Sequence, residues 1–428
     1  MPTAAKRLLF GFLLLLLLVP ALQAKFHWLD EVPLGGAYTV APRPEFSWAS
    51  LVDNTFQPAL ERYLEDRIGF RGFFVRLRNQ LGYSVFHESW AGNFAVGRGG
   101  VLFEQEPIDA YLGRDYVGDE EVRFNARRFR SAQDSLARHG VQVVFVIAPS
   151  KATFMPENLP RAARAQPRAR TNYAAYAAAL PAAGVHVLDF SRAFRQWRRT
   201  APYPLFTKGG THWSMYGGVR AADSLLAYLR HTLGVRPAPL RITGYEQSTT
   251  PRETDADLVT ALNLLVAPAS EPLAYPQLEF PPLGPGQAKP NLLLVADSFG
   301  WTWMYTHIPN CFSDQTRYWY YNAEVAWPDV EQTPEGRDLA QLKTRAQYLA
   351  RDVIVVMFNE RNLVTFDKGF SRDVFNVFHP TTAADNARFN ALVDEFRRKA
   401  TWEEQAQEGF EQRIGAKASA ILDRERCP

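Results

Sequence analysis

The chain has 428 residues, of which 46% are hydrophobic, 13% aromatic and 22% charged, enough apolar material for a large core. That balance excludes wholesale disorder and fibrous repeats. Its 48 basic and 45 acidic side chains leave a net charge of +3, which excludes a nucleic-acid binder working through bulk charge.

Lys6 and Arg7 precede an apolar run from Leu8 to Leu22, with Ala24 just beyond. A basic start, an apolar stretch and a small residue describe an export signal, either cleaved or retained as a membrane anchor. The run is short for a spanning helix, which needs about 20 apolar residues. Residues 25–54 read as a linker. Phe56 to Phe86 carries helical periodicity at Leu60, Tyr63, Leu64 and Ile68. Val96 to Phe103, with Gly97-Arg98-Gly99-Gly100 at its centre, reads as a hairpin.

A helix is expected from about Asp119 to Arg138, ended by Gly140. Val141 to Ala148, Val185 to Phe190, Leu292 to Ala296 and Val353 to Phe358 are apolar runs bounded by breakers, the pattern of strands buried on both faces. Helical segments fall at 171–180, 191–199, 215–233 and 335–350, so strands and helices alternate. Residues 236–290 are Pro-rich and read as an irregular insertion, and 387–427 as a charged helical tail. The expected fold is α/β: a mainly parallel sheet with helices on both faces, over residues 55–386.

Ser298 ends the segment Leu292-Leu293-Leu294-Val295-Ala296-Asp297-Ser298 and precedes a helix, so its hydroxyl sits on a strand-to-helix turn at the carboxyl end of the sheet. Backbone N–H groups at such a turn can bind an oxyanion, as in a nucleophile elbow. His212 lies in the glycine loop Lys208-Gly209-Gly210-Thr211-His212-Trp213, which can bring an imidazole to a strand end as base for that serine. The blander readings are a helix-capping Asp-Ser and a structural histidine.

Together, Asp297-Ser298-Phe299-Gly300 and Thr211-His212-Trp213 resemble the SGNH-hydrolase-like domain of the alginate O-acetyltransferase (AlgX/AlgJ) family, in which the serine block follows the histidine block. Val96 to Phe103 is similar to the family's glycine-turn hairpin. Ala148-Pro149-Ser150-Lys151, with Pro156-Glu157, is similar to its Pro-x-Lys segment, and Glu360-Arg361-Asn362 also resembles it. The resemblance spans about residues 55–365. It implies a three-layer α/β/α fold, catalytic roles for Ser298 and His212, a polysaccharide substrate, and a membrane-bound O-acyltransferase as acetyl supplier. It implies no cofactor and no metal.

One departure stands out. The family carries an Asp two residues before the histidine, where this chain has Gly210. Asp189, Asp255 and Asp257 are the stand-in acids, with nothing in the sequence to choose among them. Ser298 N–H is the expected oxyanion donor, with Asn359 or Asn362 as a second. Residues 158–208 hold nine basic side chains and one acid, Asp189. Arg164, Arg168 and Arg170 in this stretch suit an anionic polymer, or are simply a solvated face. Residues 299–327 hold ten aromatics, among them Trp301, Trp303 and Trp319. These either stack on sugar faces or fill the core. The leading expectation is an exported polysaccharide O-acetyltransferase. A carbohydrate esterase and a non-catalytic polysaccharide-binding subunit that lost its acid at Gly210 are the alternatives.

Overall fold

The computed structural model describes residues 3–36, 39–328 and 339–427. After the N-terminal helices comes a hairpin of β1 (Phe94–Val96) and β2 (Leu102–Glu104), paired antiparallel. The turn between them places Gly99 and Gly100 at φ of 72° and 73°, a region that favours glycine.

The central sheet takes β3 (Gln142–Ala148) and β4 (Val187–Asp189), then β7 (Leu292–Ala296), β8 (Arg317–Tyr320), β9 (Glu324–Trp327) and β10 (Val353–Asn359). Between its two halves, β5 (Arg241–Ser248) and β6 (Leu273–Glu279) form a separate antiparallel ribbon. The sheet order is β4-β3-β10-β7-β8-β9, parallel throughout except for β8 against β9. The chain moves outward from β3 to β4 on one side and from β7 to β8 on the other. The crevice at such a divergence, beyond the carboxyl ends of the strands, is where open α/β sheets place their sites.

The continuous apolar runs follow from burial on both faces. Val144, Val146, Leu294, Val355 and Met357 face a cluster built on helix Met215–His231 and Trp213. Their neighbours Val143, Phe145, Val295, Ile354 and Val356 face helices Asp119–Ala137, Asn172–Ala182 and Phe370–Phe378. This is the period-2 alternation of a strand, read out as two cores instead of one core and a wet face. The α/β/α class and its parallel sheet are therefore as the sequence indicates.

Three differences from the sequence reading stand out. The 236–290 segment is not irregular: it holds the β5–β6 ribbon and helix Asp257–Leu262. Much of β5 is exposed, so its residues carry no apolar run that a reading of the sequence could recognise. The aromatic segment contains β8 and β9, in keeping with the strand preference of Tyr and Trp. The helix expected at 335–350 shrinks to Arg345–Leu349 after a single 3-10 turn at Leu339–Gln341, and its first four residues lie outside the described ones. Cys311 and Cys427 are both buried free thiols.

Candidate active site

Ser298 is positioned by the residue before it. The Asp297 side chain is fully buried, and its Oδ2 accepts the Asn359 N–H at 2.6 Å and the Asn362 Nδ2 at 2.7 Å. Its Oδ1 accepts the Phe299 N–H at 3.1 Å. One carboxylate thus ties the end of β7 to the end of β10, and a buried charge is tolerated because both oxygens are satisfied. The Tyr318 hydroxyl donates to the Asp297 carbonyl at 2.5 Å. A Cβ on Gly300 would come within 2.8 Å of that tyrosine's ring, so the turn packs this closely only with glycine there.

His212 reaches the same place from the other direction. Its loop is held by a bridge between Phe206 and Trp213, and by Ser214, whose hydroxyl caps helix Met215–His231 by accepting the Gly217 N–H at 3.0 Å. The fully buried Lys151 ammonium donates to the carbonyls of Lys208 at 2.8 Å and Gly210 at 2.7 Å. On the far side, the Thr211 hydroxyl donates to Glu104 at 2.6 Å, and Glu104 is paired with Arg361. The Leu102 N–H also donates to the Lys208 carbonyl at 2.9 Å, so three of the segments singled out in the sequence, at 96–103, 148–157 and 360–362, contribute to the frame that holds this loop.

The outcome is a continuous chain of contacts. His212 Nε2 lies 2.8 Å from Ser298 Oγ, and its Nδ1 lies 2.6 Å from Asp257 Oδ2. The other Asp257 oxygen accepts the N–H groups of Thr211 and Leu258, each at 2.8 Å. Those bonds fix the carboxylate so that its free oxygen meets the imidazole. Serine, histidine and aspartate stand in the relation that a nucleophile, a base and an orienting acid require for acyl transfer.

Gly210 now has a steric explanation. A Cβ there would lie 2.6 Å from the Thr254 carbonyl oxygen and 2.9 Å from that of Asp255. The segment that delivers Asp257 runs directly over residue 210 and leaves no room for a side chain. The missing acid at 210 and the acid present at 257 are two aspects of one arrangement.

The other expected acids go elsewhere. Asp189 caps helix Phe190–Trp197, accepting the Arg192 N–H at 2.8 Å, and receives the Tyr173 hydroxyl at 3.0 Å. Asp255 is buried; one oxygen accepts the Met215 N–H at 3.2 Å, and the other finds no donor among the described residues. Desolvation pushes its carboxyl up to about 7. Burial also brings Lys151 down to about 7, against the opposing pull of Asp257, Glu271 and Glu104.

Several expected contact residues are placed otherwise. The Asn359 amide donates to the Pro149 carbonyl at 2.7 Å, away from Ser298, and the Asn362 amide serves Asp297. Trp303 and Trp319 are core, 2% and 1% exposed, and Trp303 donates to the Gly218 carbonyl at 2.9 Å. Trp301 is only half-buried and stacks on the exposed Tyr305, with ring centroids 6.0 Å apart. Arg164, Arg168 and Arg170 are all exposed; Arg170 pairs with Asp119 at 2.6 Å and Arg168 lies over the Tyr111 ring at 4.0 Å.

Residues 95–294 match the profile of the SGNH hydrolase-like domain, acetyltransferase AlgX, a span that includes His212 and Asp257 and stops four residues before Ser298. A protein of Pseudomonas aeruginosa described as a probable alginate O-acetylase AlgJ is 28% identical over 194 residues, 44% of this chain and 47% of its own length. This is an AlgX/AlgJ-like chain. The alginate biosynthesis protein AlgX of Pseudomonas aeruginosa is 31% identical over 116 residues, 26% of this chain and 24% of that one. The chain thus aligns with about half the length of the AlgJ relative. A solved O-acetyltransferase domain of Pseudomonas putida AlgJ is 20% identical with a TM-score of 0.44, covering 66% of this chain and all but 1% of that domain.

Proposed function

We propose that this AlgX/AlgJ-like chain is an exported O-acetyltransferase that acts on a polysaccharide through an acetyl ester on Ser298. The observation that carries this reading is the Ser298–His212–Asp257 chain of contacts at 2.8 and 2.6 Å. The names of the relatives supply the substrate class.

In the first half-reaction Ser298 Oγ attacks the acetyl carbonyl of the donor, and His212 Nε2 takes the hydroxyl proton. Asp257 holds Nδ1–H and stabilises the imidazolium. The oxyanion is met by the Ser298 N–H. Collapse expels the donor's leaving group, which receives the proton from His212, and acetyl-Ser298 remains. In the second half-reaction His212 takes the proton from a sugar hydroxyl, whose oxygen attacks the acetyl carbon. Breakdown returns the proton to Ser298 and releases the acetylated sugar. No cofactor enters either half.

Transfer to sugar and hydrolysis differ only in whether a sugar hydroxyl or water reaches acetyl-Ser298. The half-buried Trp301, stacked on exposed Tyr305 one helical turn beyond the nucleophile, supplies an aromatic surface for a sugar face. The case for a subunit without activity rested on Gly210, and Asp257 in contact with His212 removes that ground. The test is to incubate the full chain with an acetyl ester, with and without a polyuronate or a neutral glucan. Acetylated glycan supports transferase activity, free acetate alone supports an esterase, and neither product overturns both readings.

A further inference from the structure

We propose that helices Phe56–Glu65 and Arg71–Leu81, with the turn at 82–86, lie on a lipid bilayer as a platform continuous with a retained N-terminal membrane helix. This inference stands apart from the acyl-transfer reading, and either can fail without the other.

The N-terminal helix runs unbroken over Thr3–Phe26, longer than the 15-residue apolar run in the sequence suggests, because Thr3-Ala4-Ala5 and the turn ending at Phe26 extend it. Its Ala4–Phe26 part is 23 residues long, and the most apolar 18-residue window within it has a mean hydropathy of 2.1 and is only 6% buried. That length and composition suffice to cross a bilayer. The end of the helix is not a loose leader, because it is jointed to the platform. Gly69 N–H donates to the Pro20 carbonyl at 3.2 Å, and a Cβ on Gly69 would lie 2.4 Å from that oxygen. Gln23 is 2% exposed; its amide donates to the Leu29 carbonyl at 2.7 Å and accepts the Leu29 N–H at 3.2 Å. Glu31, which receives Gln23, also accepts the Phe70 N–H at 2.7 Å. The platform is therefore jointed to the last two turns of that helix, at Pro20 and Gln23, where the apolar run from Leu8 to Leu22 gives out.

Around that joint the platform turns apolar side chains outward. Phe73, Leu77, Leu81 and Val85 recur every four residues, on one face, and are 49, 37, 47 and 62% exposed. Leu64 and Ile68 continue the surface at 57 and 50%. An apolar groove of about 1060 Å3 runs between the crossing helix and the first platform helix, lined by Ala21, Ala24, Leu60 and Leu64 among others. Exposed apolar area of this extent calls for a partner, and the partner that necessarily surrounds a crossing helix is lipid. Residues 56–86 carry five arginines against three acids, a sign that suits anionic headgroups.

The opposite face of the platform holds the catalytic domain. Buried Asn79 donates to the Leu262 carbonyl at 2.7 Å, at the end of the helix that begins with Asp257. The surface placed on lipid thus braces the element that carries the acid of the site, and sets the height of Ser298 above the bilayer.

The test uses the full chain in vesicles of phosphatidylcholine and phosphatidylglycerol. Phe73→Cys, Leu77→Cys and Leu81→Cys are spin-labelled one at a time, with Ser419→Cys as an exposed control. Cys311 and Cys427 are 0% and 2% exposed, so the label goes to the new thiol. The expected result is a several-fold higher ratio of oxygen to nickel-chelate collisions at 73, 77 and 81 than at 419. The mature chain should also keep its N-terminal helix by intact mass. A ratio equal to the control overturns the inference. So does protection from both reagents, which would mean a protein covers the face. Spin–spin broadening, which would mean a second copy covers it, and a mature mass lacking the helix each overturn it as well.

Discussion

Ser298 and Asp257 serve the same histidine from regions built in opposite ways. Ser298 lies on the turn just after β7, a strand buried along its whole length, and that turn is locked to β10 by the sealed Asp297. Asp257 opens a six-residue helix in the segment between the two halves of the sheet, beside a largely exposed ribbon. The first region is fixed by burial of continuous apolar strands. The second is fixed by a few directed contacts: two N–H bonds to the carboxylate and a glycine at 210 that lets the segment pass. Ser298 is held by the packing of the sheet and of its own tight turn, whereas Asp257 depends on the residues that let its segment approach the histidine.

The largest expected effect falls on the sheet side. Ser298→Ala should lower acetyl transfer by about 10⁶, and His212→Ala should be similarly severe, with the double variant little worse than either alone. Thermal melting should stay near wild type for Ser298→Ala, because alanine meets no steric demand that serine does not. Rates measured on a small acetyl ester check this; fully additive losses would separate the two residues into different steps.

On the insertion side, Gly210→Asp should not rescue an Asp257→Ala variant. A Cβ at 210 meets the Thr254 carbonyl oxygen at 2.6 Å, so the added side chain must push the segment away, at a cost of about 1–3 kcal/mol. Chemical denaturation of Gly210→Asp alone reads that cost. A stable, fully active variant would break the link between the glycine and the position of Asp257.

A smaller effect concerns pH. Asp255 has a folded pKa of about 7 against an ordinary 3.8, so between those values the folded chain holds a proton that the unfolded chain has released. Stability contributed by this group is present at the acid end and is lost as pH rises toward 7. Asp255→Asn keeps the acceptor for the Met215 N–H and cannot ionise, so its melting temperature should fall less between pH 4 and 7 than that of the wild type. Lys151, lowered to about 7 from 10.5, acts in the window above: the unfolded chain binds the extra proton there, and stability rises with pH. Melting curves across both windows separate the two groups.

The smallest effect is expected at Arg164, Arg168 and Arg170. Replacing all three by Ser should weaken binding of a polyuronate at low salt and leave turnover of a neutral acetyl ester unchanged, because exposed charges act over about 8 Å at physiological ionic strength. Equal binding of wild type and variant would leave the three as a solvated surface, consistent with the Arg170–Asp119 pair.

The two regions also differ in how far the sequence discloses them. β3, β7 and β10 announce themselves as apolar runs between breakers, and Ser298 and His212 follow from a strand-to-helix turn and a glycine loop. Asp257 could be only one of three acids, since a contact across 45 residues leaves no periodic trace. Trp303 and Trp319 show the limit of composition: an aromatic-rich segment is the same string whether it stacks on sugar or fills a core, and only strand register sends Tyr318 and Trp319 to opposite faces. Lys151 stood within a recognisable segment and Glu104 just beyond one, yet their work in holding the His212 loop is visible only once the carbonyls that Lys151 bonds and the Thr211 hydroxyl that Glu104 accepts are in place.

The most direct test of the account is to compare three isosteric variants, Asp257→Asn, Asp255→Asn and Asp189→Asn, by kcat/KM on a small acetyl ester. If Asp257 orients His212, its variant alone should collapse, by about 10⁴, because an amide in that place favours the wrong imidazole tautomer. The other two should stay within a few-fold of wild type. A collapse at 255 or 189, or an Asp257→Asn variant as active as wild type, would contradict the assignment of the acid to the insertion.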